Sequence, residues 1–129
     1  GLQAAIDRAK ALVDAGADAI FPEAMADLGE FEAVRKAVDV PILANMTEFG
    51  KSELFTTTQL ANIGINIVIY PVSLLRLAMG AAERGLDALA AEGSLNSSVQ
   101  HMQTRARLYE LLDYEAYNAF DTSVFNFTL

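Results

Sequence analysis

Val40-Pro41-Ile42-Leu43-Ala44-Asn45-Met46-Thr47-Glu48-Phe49-Gly50 opens apolar and closes polar. Such a run reads as a buried strand that leaves the core and becomes a working loop. In α/β proteins built on parallel strands, ligands gather at the carboxyl ends of those strands. Asn45 and Thr47 stand at that end. As alternate residues of an extended chain they share a face. Two neutral hydrogen-bonding side chains there suit a small polar substrate.

The pattern on either side of this strand is regular. Residues 1–15 have a helical rhythm, with Leu2, Ile6, Ala9 and Val13 on one face and Gly16 as a stop. Residues 17–21 form a short apolar stretch, predicted to be a strand and closed by Pro22-Glu23-Ala24. Residues 26–38 predict a second helix, with Leu28, Phe31, Val34 and Val38 inward. Downstream of the loop, Thr56-Thr57-Thr58 offers caps for a short helix carrying Leu60 and Ile63, ended by Gly64. Ile65, Ile67, Val68 and Ile69 are apolar almost without alternation, the mark of a strand covered on both faces. Pro71 ends it. A long alanine-rich helix then runs from Ser73 or Leu74 to Glu92 and stops at Gly93. A further helix is expected from about Ser97 to Leu112, with Met102, Tyr109 and Leu112 inward, and a short one over 114–120. The tail carries Val124, Phe125, Phe127 and Leu129, apolar enough to pack on something such as another subunit.

The order is therefore α, then β-α three times, then extra helices. Alternation at this spacing means right-handed β-α-β units and a parallel sheet. Three such strands alone would leave open apolar edges. The simplest repair makes them the last three strands of a (β/α)8 TIM barrel of roughly 250 residues. The predicted class is thus α/β: the C-terminal half of a barrel over residues 1–93, with a C-terminal helical extension for subunit packing over 94–129. A helix that begins at residue 1 with no cap agrees with a chain cut mid-fold.

Composition narrows the function. The chain has 129 residues, 53% hydrophobic, with a net charge of -8 and no cysteine. That is enough for one domain with a core. The acidic balance and lack of a basic run argue against nucleic acid and against an anionic membrane surface. Without cysteine there is no disulfide and no thiol nucleophile in this stretch. No apolar run is long enough to span a bilayer.

Few residues are candidates for chemistry. Glu23, just past the first strand, is placed to orient a metal-bound water, to accept from a substrate hydroxyl or to transfer a proton. It reads equally as a solvated loop glutamate or the cap of the next helix. Asn45 and Thr47 also suit an ordinary turn. Glu48 is either a second carboxylate or the partner of Lys51 in an exposed ion pair. Arg76 lies at the start of a helix, where a cation opposes the helix dipole. It is either a surface arginine or a bidentate clamp for a carboxylate. Arg105 reads as a helix-surface residue. His101 is assigned nothing, and Tyr109, Tyr114 and Tyr117 read as packing. No glycine-rich phosphate loop, metal-binding cluster or nucleophile-base pair is present. These residues support substrate contacts, not a whole active site.

Phe21-Pro22-Glu23-Ala24, then Pro41 through Gly50, then Tyr70-Pro71-Val72-Ser73 with Arg76, then Met102-Gln103-Thr104-Arg105 with Leu108-Tyr109, resemble the isocitrate lyase and phosphoenolpyruvate mutase superfamily. The resemblance runs the length of the chain, in order, and is nearest to the branch that acts on 2-methylisocitrate. It implies a (β/α)8 barrel with C-terminal helices exchanged between subunits, usually of a cytoplasmic homotetramer. It implies a Mg2+-dependent retro-Claisen (aldol-type) cleavage of 2-methylisocitrate to pyruvate and succinate, a step of the methylcitrate cycle in propionate catabolism. Glu23 would hold oxygens around the metal-bound pyruvate part. Asn45, Thr47 and the Met46 backbone would hold a substrate carboxylate, and Arg76 and Arg105 would complete the match to a tricarboxylate. The family's metal-binding aspartates and catalytic cysteine belong to an amino-terminal half that these residues do not include. No metal ligand is assigned here, and the 129 residues alone are expected to be inactive. Isocitrate, oxaloacetate or a phosphonate are alternative substrates within the superfamily, and a non-catalytic half-barrel used for assembly is an alternative of another class.

Overall fold

A computed structural model describes residues 1–125 of the chain. It is an α/β fold of six α-helices and a short parallel sheet among the described residues. Two compact units divide inside the fourth helix, Gly1–Gly80 and Ala81–Leu129.

In the first unit, α1 spans Leu2–Asp14 and α2 Leu28–Ala37. Asp27 caps α2 by accepting the Glu30 N–H, and the Glu30 carboxylate accepts from the Ala26 N–H. β1 is Leu43–Asn45 and β2 Ile67–Ile69, paired in parallel with Leu43 opposite Ile67 and Asn45 opposite Ile69. Between them α3, Thr57–Asn62, starts in a full capping box, with the Thr56 side chain taking the Gln59 N–H and Gln59 returning to Thr56. Gly64 follows at φ +83°. A side chain there would also meet the Arg35 stem at 3.0 Å, so glycine is required twice over.

The expected strand over 17–21 shrinks to one parallel bridge, Ile20 with Ile42. Pro22, which has no N–H to continue a ladder, follows at once. The sheet order is still the Ile20 segment, then β1, then β2. The core of this unit gathers Phe31, Val34, Ile42, Ala44, Met46 and Leu60 at 1% exposure or less. Leu2, Ile6, Val13, Leu28 and Ile63 pack against it, as the helical spacing predicts. Side chains along β1 alternate: Ile42, Ala44 and Met46 face the core, while Leu43, Asn45 and Thr47 are half-buried on the other face.

β2 departs from expectation. Ile67 is 44% exposed, so the strand is not covered on both faces. It is an edge here, with β1 its only pairing neighbour among the described residues. Its apolar sequence therefore marks a face that the described residues leave open.

α4, Ser73–Glu92, runs from the first unit into the second and ends at Gly93, φ +66°. The single helix expected from Ser97 to Leu112 is two pieces. A 3-10 turn covers Asn96–His101 and α5 covers Arg105–Leu111. Met102 and Thr104 are extended, and the Thr104 hydroxyl caps α5 by accepting the Arg107 N–H. Threonine competes for backbone donors and so favours a cap over a helix interior. α6 spans Tyr114–Val124. The Tyr109 and Tyr114 rings stack at 4.4 Å across the α5–α6 turn. Met102, Tyr109 and Leu112, expected inward, are 47%, 38% and 56% exposed. The second unit buries no hydrophobic residue among those described. Phe127 and Leu129 of the apolar tail lie outside the described residues. No described helix is long and apolar enough to cross a membrane.

Candidate functional site at the carboxyl ends of the strands

The parallel register brings three chain segments to one end of the sheet. Ile20 pairs with Ile42, so Glu23 and Asn45 lie three residues past the same pairing level. Asn45 pairs with Ile69, and Ser73 and Arg76 follow four and seven residues later. The loops after the Ile20 segment, β1 and β2 thus emerge side by side.

Each of these loops holds one non-glycine residue in the left-handed region: Ala24 at φ +58°, Phe49 at +61° and Val72 at +55°. For valine that conformation is an outlier, because its branched Cβ crowds the backbone. Each of the three adjoins a polar residue: Glu23, Glu48 and Ser73. Strain of this kind costs about 1–3 kcal/mol per residue and collects at functional sites.

Polar groups at this end are left wanting. Asn45 Oδ1 and Ser73 Oγ are buried and make no hydrogen bond of ordinary geometry. A buried polar atom without a partner costs about 1–3 kcal/mol. Asn45 Oδ1 is in that state, while the Ser73 hydroxyl lies near the Glu48 carboxylate without a well-formed hydrogen bond. Met46, between Asn45 and Thr47, is an anchor. Its side chain is in the core, its Sδ accepts the Phe55 N–H at 3.3 Å, and its own N–H goes to Ile69 O at 2.9 Å. The Met46 N–H is thereby spent within the sheet.

Arg76 reaches back over the β1 loop. Its Nη1 donates to Glu48 Oε2 at 2.9 Å, to Glu48 O at 3.2 Å and to Thr47 Oγ1 at 3.4 Å. The guanidinium carbon stands 5.6 Å from the Phe49 ring centroid, within cation–π range. Every one of these hydrogen bonds uses Nη1, so Nη2 and Nε face no partner among the described residues. From the sequence alone, Arg76 is either a surface residue or a clamp, and Glu48 either a second carboxylate or the partner of Lys51 in an exposed ion pair. The structure pairs Glu48 with Arg76 instead. The Glu48 carboxyl is held below its ordinary value, first by the nearby Ser73 hydroxyl, then by a backbone N–H and by Arg76, with burial opposing.

Glu23 is exposed on the rim of a groove of about 580 Å3 between α1 and its own loop, which Arg8 and Phe21 also line. It does not cap the following helix; Asp27 does. Arg105 lies in the second unit, in the first turn of α5, exposed and with no hydrogen bond or ion pair among the described residues. No group of three or more His, Cys, Asp or Glu able to hold a metal occurs among the described residues. Sequence reasoning missed Ser73, Phe49 and Val72. No residue type in that stretch advertises a left-handed backbone or a buried hydroxyl beside a carboxylate.

The family model for phosphoenolpyruvate phosphomutase matches residues 1–90. The chain belongs to the phosphoenolpyruvate phosphomutase family. Within it, the chain is 56% identical over 128 residues to a protein of Corynebacterium glutamicum named probable 2-methylisocitrate lyase 2, covering 99% of this chain and 42% of the relative. It is 47% identical over 124 residues to the 2-methylisocitrate lyase of Halalkalibacterium halodurans, covering 96% and 41%. The chain thus spans about two fifths of the length of these relatives. Among solved structures it matches oxaloacetate acetylhydrolase bound to 3,3-difluorooxalacetate, with TM-score 0.79, 26% identity and coverage of 95% and 41%. It also matches phosphonopyruvate hydrolase in complex with oxalate and Mg++, with TM-score 0.73, 26% identity and coverage of 95% and 44%.

Proposed function

We propose that this chain is the substrate-binding C-terminal part of a Mg2+-dependent lyase that cleaves 2-methylisocitrate to pyruvate and succinate. The observation that carries it is the strained, under-partnered cluster at three neighbouring strand ends, where Arg76 keeps half its guanidinium unused against Thr47 and Glu48, on the loop that follows Asn45. The similarity to proteins named 2-methylisocitrate lyase supplies the substrate. The fold proposed is the last part of a (β/α)8 barrel, in which the open apolar face of β2 would be covered by the rest of the barrel. The helices past Gly93 would serve packing in a cytoplasmic homotetramer.

The chemistry asks for specific help. The hydroxyl of a 2-hydroxy tricarboxylate loses its proton, the adjacent C–C bond breaks, pyruvate leaves with its new carbonyl, and the succinate carbanion takes a proton. Arg76 clamps a carboxylate through Nη2 and Nε, a bidentate geometry that lysine cannot copy. Asn45 and Thr47 hold a carboxylate beside it, with Met46 fixing their spacing from the core. Glu23 orients or accepts the hydroxyl proton. Arg105 supplies a further cation for the tricarboxylate. The residues described here do not fit a Mg2+ site by themselves, since no three suitable ligands gather. Its ligands would lie in the portion of the longer relatives that this chain does not span, and no step is drawn through the metal.

The test is a substrate panel with Mg2+ and the intact protein, following pyruvate and succinate release. Turnover of 2-methylisocitrate at least about tenfold above isocitrate is expected, the discrimination one methyl group allows. Preferred turnover of isocitrate, oxaloacetate or a phosphonate would reassign the substrate within the superfamily. No turnover of any of them would favour a non-catalytic assembly role.

A further inference from the structure

We infer that Glu48 is the positioning residue for Arg76, holding the guanidinium by one nitrogen so that its other edge is presented to a ligand carboxylate. This rests on the reading of the strand ends as a carboxylate site.

Four contacts carry the inference. Arg76 Nη1 is held by both the carboxylate and the carbonyl of Glu48, at 2.9 and 3.2 Å, and by Thr47 Oγ1 at 3.4 Å. The Phe49 ring lies 5.6 Å from the guanidinium carbon. Three consecutive residues of one loop thus fix a side chain that starts 28 residues later. The ion pair is not buried, with Arg76 and Glu48 side chains 41% and 31% exposed. A surface pair of this sort adds little to stability. Its effect is on geometry. An arginine free to sample its rotamers must surrender that freedom on binding, and fixing it in advance spares the ligand that cost. A clamp that meant only to neutralise Arg76 would engage the bidentate Nη2–Nε edge. Glu48 leaves that edge open. Phe49 accepts a left-handed backbone at φ +61° and 95% exposure to stand where it does, as a loop shaped around Arg76 would require.

Glu48 also carries a negative charge, which by itself would repel an anionic ligand. The two roles give opposite signs and are separable. Succinate is the probe, and calorimetry on the intact protein reads affinity and stoichiometry separately. Glu48→Ala, which removes the acceptor, is expected to weaken succinate about tenfold at unchanged stoichiometry. Glu48→Gln keeps an acceptor for Nη1 and should stay within about threefold of the wild type. Arg76→Lys should weaken binding more than either. Glu48→Ala binding as tightly as the wild type, or more tightly, overturns the inference while a weakened Arg76→Lys leaves the carboxylate site standing. Wild-type protein that binds no succinate, or Arg76→Lys that binds unchanged, overturns the site reading and the inference with it. A lowered stoichiometry with unchanged affinity in Glu48→Ala marks a merely structural residue and also overturns the inference.

Discussion

The two ends of the small sheet are built to opposite standards. At the amino end no buried side-chain polar atom among the described residues is left without a partner. Arg35 donates through Nη1 to Val40 O at 2.9 Å and to Asn66 Oδ1 at 3.4 Å, and through Nη2 to Val38 O. Asn66 Oδ1 also accepts the Ile42 N–H at 3.0 Å, stitching the start of β1 to the start of β2. At the carboxyl end, Asn45 Oδ1 goes unpaired, the Ser73 hydroxyl has only the nearby Glu48 carboxylate, three loops hold left-handed non-glycine residues and Arg76 is half used. The same strands supply both ends, so burial and composition do not explain the difference. On the proposed reading, one end maintains the fold, and the other gives up stability to keep polar groups ready for a substrate. This is the division of labour expected of parallel strands whose ligands bind at the carboxyl face.

The contrast is sharpest for substitutions that do the same thing at the two ends. Arg35→Ala removes the cation that ties α2 to both strands and should cost about 3 kcal/mol, read from urea unfolding. Asparagine offers a matched pair. Asn66→Ala strands the Ile42 N–H and should cost about 1–2 kcal/mol. Asn45→Ala removes an atom that has no partner and should change stability by less than about 0.5 kcal/mol, while weakening succinate binding. Equal losses from the two asparagines would break the comparison.

How much of this was legible beforehand follows from what each residue type signals. The helices over 2–14 and 28–37 could be read because Leu2, Ile6, Val13, Phe31 and Val34 recur at helical spacing. Gly64 and Gly93 mark their own positions through positive φ. Asn45 and Thr47 were readable as sharing a face, because a strand alternates. The weak strand over 17–21 and the break at Met102–Thr104 were not. Pro22 and the Thr104 cap overrode local apolar patterning there. The pairing of Glu48 with Arg76 could not be found from spacing either, since a partner 28 residues away competes with Lys51 three residues away. Strain at Phe49 and Val72 is invisible in sequence, as neither residue type prefers that backbone.

Two smaller effects sharpen the picture. Val72→Gly relieves the left-handed valine and, after glycine's own entropic cost, should raise stability by about 1 kcal/mol. A destabilised variant would show that the Val72 backbone is not strained. The Glu48 carboxyl lies below its ordinary value of 4.5 in the folded chain. A carboxylate depressed by folding stabilises above its unfolded pKa, and that contribution fades as pH falls through the folded one. The stability gap between wild type and Glu48→Gln should therefore be small, largest at neutral pH, and should shrink below about pH 4.5. A gap that widens in acid would mean that Glu48 is not held ionised.

The most direct measurement is the steady-state kinetics of Arg76→Lys on 2-methylisocitrate in the intact protein, with its unfolding midpoint measured alongside. A bidentate clamp reduced to a point charge should raise KM at least about tenfold with the unfolding midpoint unchanged. An unchanged KM would remove Arg76 from the site and contradict the assignment of the carboxyl end as the place where substrate is held.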